Sequence, residues 1–193
     1  VNLPSQLFER TDLVEHIHES VTAAGVNHRV IELEITENSL MKDLDRVKPS
    51  LHRLNAIGVD IAIDDFGTGY SSLAYLTTLP IGELKIDRGF VRDLGTTLQS
   101  RAVVTTIIAL AKSLNMRVVA EGVETLAQLN LLRELDCHIM QGFLFSKAIP
   151  GEEMKAWLER TVLPGQEPWG GRAVGSELAA TNVHLIAGGR SQR

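Results

Sequence analysis

Apolar residues along this chain fall into two rhythms. Short runs rich in β-branched residues recur at 1–3, 30–36, 59–66, 83–87, 117–122 and 138–143, and longer segments with helical spacing lie between them. In 12–24, Leu13, Val14, Ile17 and Val21 mark one face, with Thr11 placed as N-cap. In 44–55, Val47, Leu51 and Leu54 recur at helical intervals, and Gly58 stands where such a helix would end. The segment 101–114 is apolar over much of its circumference, as expected for a helix packed closely on a sheet. Two further helical patterns cover 126–135 and 151–158.

Strands alternating with helices of this length predict βαβ units and a parallel sheet, so the fold class is α/β. An open doubly wound sheet of the dinucleotide-binding kind would carry G-x-G-x-x-G after its first strand, and the chain has none. A closed TIM-like (β/α)8 barrel explains a further regularity: almost every strand run ends in a polar or acidic residue, at the edge where such barrels build their sites. About six of the eight strands are expected, since a barrel takes about 250 residues and the strand–helix units stop near Leu163. The missing part is expected upstream of Val1, where "VNLP" reads as the inside of a strand. Residues 1–163 are thus predicted to be the C-terminal portion of one barrel domain. Residues 164–193, glycine-rich and without a sustained period, are predicted to be a flexible tail with at most a short apolar stretch at 183–187.

Composition narrows the partners more than the fold. A net charge of −5 over 193 residues disfavours an electrostatic binder of DNA, RNA or membrane surfaces, while leaving room for a compact basic pocket. The lone cysteine, Cys137, has no internal disulfide partner and sits among strand residues, which points to packing and to a reducing, cytoplasmic compartment. Neither a signal pattern nor an apolar run long enough to cross a bilayer is present in these residues.

The strand ends collect Asn2, Glu34, Asp64, Asp65, Lys85, Glu121 and Gln141. Carboxylates converging on one place repel unless cations share the site, and an all-oxygen donor set suits two hard divalent ions, Mg²⁺ or Mn²⁺, rather than Zn²⁺. Two such ions about 4 Å apart suit phosphodiester hydrolysis. In "IAIDDFGTGYSSL", side chains alternate along the strand, so Asp65 is expected to turn inward only where the strand ends and Gly67 and Gly69 ease the bend. A turn-capping role competes for the aspartate pair, as a solvated strand end does for each glutamate, and Lys85 could equally neutralise a buried acid. His16 and His18 lie two apart on a helix and cannot face one site; the other histidines are scattered, so none is assigned a metal role. The triplet "DFG" lacks the other protein-kinase segments, and "GTGYSS" lacks the G-K-[ST] of a phosphate loop.

The segments "VNLP", "IELEITENSLM", "GVDIAIDDFGTGYSSLAYLTTLPIGELKIDRGFV", "VVAEGVET" and "QGFLFSKAIP", in this order, resemble the EAL domain, a bacterial cyclic di-GMP phosphodiesterase. The resemblance implies a (β/α)8-type barrel with one antiparallel strand, two divalent cations and hydrolysis of cyclic di-GMP to pGpG. It implies that Asn2, Glu34, Asp64 and Asp65 are metal ligands, with Asp64 bridging, and that Glu121 is a ligand or water-positioning base. Lys85 would lie near the attacking water and phosphate, and Gln141 would hold the water network. Glu37 would anchor the loop of Phe66, Gly67, Thr68 and Gly69, which with its helix would form a homodimer contact. Asp87 and Glu124 are candidate substrate contacts. The Glu-Ala-Leu motif that names the family is expected upstream of Val1, with a metal-ligating glutamate and a phosphate-contacting arginine, so the isolated chain is expected to be impaired. A parent protein could add cyclase, receiver, PAS or membrane domains. Two other readings remain: a degenerate EAL module that binds cyclic di-GMP or a partner without hydrolysis, and a Schiff-base aldolase on Lys85, disfavoured by the surrounding acids.

Overall fold

A computed structural model describes residues 1–69, 73–162 and 184–185. The chain divides into two compact units, Val1–Asp87 with Thr105–Val118, and Arg88–Val104 with Val119–Arg193.

In the first unit the strands are β1 (Glu32–Thr36), β2 (Asp60–Phe66) and β3 (Glu83–Ile86). β1 and β2 run parallel with Glu32 opposite Asp60 and Thr36 opposite Asp64, and β3 lies parallel on the other side of β2. Strand β4 (Arg117–Glu121) starts here, its first residue Arg117 donating its N–H to the Gly82 carbonyl at 2.9 Å. Ahead of β1, Asn2 makes a single parallel bridge to Glu34, so the strand expected at 1–3 is reduced to one rung. Ile61, Ala62, Ile63 and Asp64 are all buried, which is why β2 reads as an unbroken apolar run rather than an alternation.

Helices cover this sheet. α3 (Leu44–Ala56) buries Val47, Leu51 and Leu54 and packs on β2, with α1 (Leu13–Ala23) against α3. Gly58 follows its C-terminus at φ 94°, a left-handed position that suits glycine. α1 begins after Asp12, not Thr11; no side chain caps it, because the Asp12 carboxylate is held by the Arg10 guanidinium at 2.9 Å. A short helix α2 (Glu37–Lys42), not evident in the apolar pattern, starts directly at the end of β1 with Thr36 as its cap.

The second unit holds the end of β4, then β5 (Ile139–Gln141) and the two-residue β6 (His184–Leu185), again all parallel. Its helices include α4 (Arg88–Arg92), α6 (Leu126–Glu134) and α7 (Gly151–Val162); α5 (Leu98–Ser113) begins in this unit and ends in the first. Thr125 and Gln128 close a capping box at the start of α6. Cys137 is buried, its N–H donating to the Leu132 carbonyl at 2.9 Å, in keeping with a packing role. The expected tail, 164–193, lies outside the described residues except at β6. Among the described residues no helix is long and apolar enough to cross a membrane.

Candidate active site

The answer to the paired aspartates is a β-bulge. Ile63 pairs with Leu84 and Phe66 with Ile86, so Asp64 and Asp65 together oppose the single residue Lys85. Asp65 takes a left-handed backbone, φ 53°, a conformation aspartate tolerates better than most non-glycine residues. This breaks the alternation inside the strand, one residue before it ends; the bend was expected instead at the strand end and its glycines. The Asp65 N–H donates to Asp64 Oδ1 at 2.9 Å, and the two carboxylates offer oxygens within 4.8 Å of each other.

Lys85 is aimed at the acids it faces. Its ammonium lies 2.9 Å from Glu34 Oε2 and 3.9 Å from Asp64 Oδ1, with its side chain only 5% exposed. Glu34 is the residue whose backbone brackets Asn2, accepting from Leu3 N–H and donating to the Val1 carbonyl, each at 2.8 Å. Three carboxyl groups, those of Glu34, Asp64 and Asp65, stand against the one Lys85 ammonium, with Asp64 and Lys85 buried. That imbalance, with donors that are all oxygen, fits hard divalent cations.

Glu37, fully buried at the start of α2, holds the loop after β2. Its Oε2 accepts N–H bonds from Gly67 at 2.9 Å and Gly69 at 3.4 Å. A Cβ at Gly69 would stand 3.1 Å from Glu37 Cδ, so a side chain there would press on the anchor itself. Thr68 closes the turn onto the Asp65 carbonyl through its hydroxyl at 2.8 Å. Tyr75, buried nearby, has no hydrogen-bond partner for its hydroxyl among the described residues; burial and then the Glu37 charge hold its phenol above the usual tyrosine range. The apolar run "LAYL" hid this polar tip. Asp87 is half-buried just past the end of β3.

In the second unit, Glu121 is buried at the end of β4, and its Cα partner in register is Gln141 of β5. Gly122 follows at φ 71°, and a Cβ there would come 2.6 Å from Arg88 Cβ. Glycine alone makes that turn cheaply, which explains "AEGVE" locally. Glu124 is exposed, its N–H bonded to Gln128 Oε1 at 2.8 Å as part of the α6 start. The histidines are less scattered than expected: His18 Nδ1 and His28 Nε2 lie 2.9 Å apart.

The EAL domain family matches residues 1–148. Cyclic di-GMP phosphodiesterase NbdA of Pseudomonas aeruginosa is 44% identical over 158 residues, 82% of this chain and 20% of that protein. A solved structure described as "PaMucR Phosphodiesterase, c-di-GMP complex" superposes with a TM-score of 0.77 at 44% identity, covering 80% of this chain and 62% of that one. BlrP1 of Klebsiella pneumoniae, solved with manganese and cyclic di-GMP, gives a TM-score of 0.72 at 35% identity over 76% of this chain and 38% of that one. The chain therefore belongs to the EAL domain family, with the TIM-like barrel class of fold, and is homologous to cyclic di-GMP phosphodiesterases. It spans about a fifth of the length of the first curated relatives it matches.

Proposed function

We propose that this chain hydrolyses cyclic di-GMP to linear pGpG with the help of two divalent cations, Mg²⁺ or Mn²⁺. The observation that carries the reading is the bulge that sets Asp64 and Asp65 opposite Lys85, with Glu34 on the same ammonium. Asn2, Glu34, Asp64 and Asp65 would hold the ions, Asp64 as the bridge. Glu121 is assigned to the same set from the family pattern around "AEGVE". When bound, the ions supply positive charge to the phosphoryl oxygens and lower the pKa of water.

The chain's own residues do the rest. Lys85 opposes the charge that grows on the phosphoryl group as water adds, and its near-complete burial strengthens that effect. Glu121 orients the attacking water and takes its proton, and Gln141, its register partner, keeps that water aligned. Attack at phosphorus breaks one P–O3′ bond; the 3′ oxygen leaves with a proton and the ring opens to a 5′-phosphate. Glu37 keeps Phe66, Gly67, Thr68 and Gly69 in place beside Asp65, and this loop is the proposed homodimer contact. Asp87 and Glu124 are the proposed substrate contacts, Glu124 reaching from an exposed position. A cytoplasmic setting suits both the nucleotide and the single buried Cys137.

The test is direct: the protein, Mg²⁺ or Mn²⁺ and cyclic di-GMP, with products separated by chromatography. Appearance of pGpG that stops on chelation supports the reading. Tight binding with no product would leave a sensor of the same nucleotide in its place.

A further inference from the structure

Phe143 is 62% exposed, the one aromatic among the large hydrophobic side chains that the described residues leave in water. Leaving a phenyl ring in water forgoes about 2 kcal/mol of burial, yet the surrounding backbone is built to hold it there. Gly142 passes so close to Val123 that a Cβ would lie 2.1 Å from the Val123 carbonyl oxygen, so only glycine fits. Val123 N–H donates to the Gln141 carbonyl and Leu144 N–H to the Val123 carbonyl, both at 3.0 Å. Phe145 and Ser146 then return their N–H groups to the Gly142 carbonyl at 3.1 and 3.3 Å. The turn buries Phe145 and points Phe143 outward. Lys147 sets its ammonium 5.8 Å from the Phe143 ring centroid, over the face.

This pedestal follows Gln141 directly, at the C-terminal edge of β5, where parallel α/β proteins receive their ligands. We propose that Phe143 is a stacking platform for a guanine base of the substrate, with Lys147 holding one face of the ring and adding positive charge for the anionic nucleotide. The inference rests on the cyclic di-GMP reading above and names a specificity residue for it. A flat, polarisable ring presented to water on a hydrogen-bonded turn suits a planar purine better than an aliphatic ligand, and a cation beside it suits a phosphodiester.

Calorimetric titration of the full chain with cyclic di-GMP tests it, with Ca²⁺, a poorer activator of water, in place of Mn²⁺ so that turnover does not consume the nucleotide. Phe143→Ala should raise Kd about 10-fold, the scale of one base–aromatic stack. Phe143→Leu should bind as poorly, and Phe143→Trp should recover most of the affinity, because a core-packing role would favour leucine over tryptophan. Lys147→Met should weaken binding less and flatten its dependence on salt. Equal affinity for Phe143→Ala and the unmutated chain, both with the same melting temperature, overturns the platform and leaves the proposed function standing. Failure of the unmutated chain to bind overturns both.

Discussion

Two polar clusters occupy opposite ends of the same three strands, and each gathers carboxylates around one cation. At the C-terminal ends, Glu34, Asp64 and Asp65 meet Lys85, whose side chain is almost wholly buried. At the N-terminal ends, Arg117 reaches Glu32 at 2.6 Å, Glu83 at 3.2 Å and Asp60 at 3.6 Å, with half of its side chain in water. The lower cluster needs no backbone irregularity. Glu32 and Asp60 face each other in regular register, and the guanidinium fork spans three acceptors. The upper cluster exists only because β2 bulges and Asp65 adopts a left-handed conformation. Within the three strands the left-handed residue thus lies at the end where chemistry is proposed, and the regular end holds the strands together.

Three outcomes would sharpen or break that contrast. The largest is expected for Asp64→Asn, which should reduce cyclic di-GMP turnover by about 100- to 1000-fold, as loss of a charge-stabilising group does. It should leave the melting temperature unchanged or raise it, because one buried negative charge is gone. A matching loss of stability would show that the upper cluster is structural after all. Arg117→Ala should do the opposite. It removes the cation from a buried Glu83 and should cost about 1–3 kcal/mol of stability in urea unfolding, less than a fully buried pair because Arg117 is half-exposed. Turnover per folded molecule should stay near that of the unmutated protein.

The smallest effect is a pH slope. Burial first, then the neighbouring Glu32 charge, push the Glu83 carboxyl up to about 7, against a partial pull downward from Arg117 and Lys85. Its folded value thus lies above its unfolded one, so the folded state holds the proton more tightly. The stability that this proton confers is full below the ordinary glutamate range and is lost as pH rises through about 7. Unfolding free energy measured between pH 5 and pH 8 should therefore contain a falling component, and Glu83→Gln should flatten it. A slope unchanged in that variant would mean that Glu83 titrates alike in both states.

Much of this architecture was legible from residue order. The βαβ alternation, the burial of α3 along Val47, Leu51 and Leu54, and the turn at Gly58 all follow from local periodicity and turn chemistry. The polar strand ends were legible too, because a parallel strand covered on both faces has few other places for a carboxylate. Less visible were α2 and α4, whose six and five residues are too short for a helical period to register. The cap expected at Thr11 gave way to Asp12, whose carboxylate a neighbouring arginine holds instead.

The residues themselves determined the fold class, the family and the cast of acids, since spacing and residue type are properties of the chain alone. Tertiary structure decided how those acids are presented. Nothing in "IAIDDF" announces that two aspartates oppose one lysine, because a bulge is a mismatch between partner strands that lie far apart in sequence. The arginine network at the other strand ends arose in the same way: Glu32 and Arg117 are brought within hydrogen-bonding distance by strand pairing across most of the first unit. Long-range pairing sets register, and register determines which charges meet.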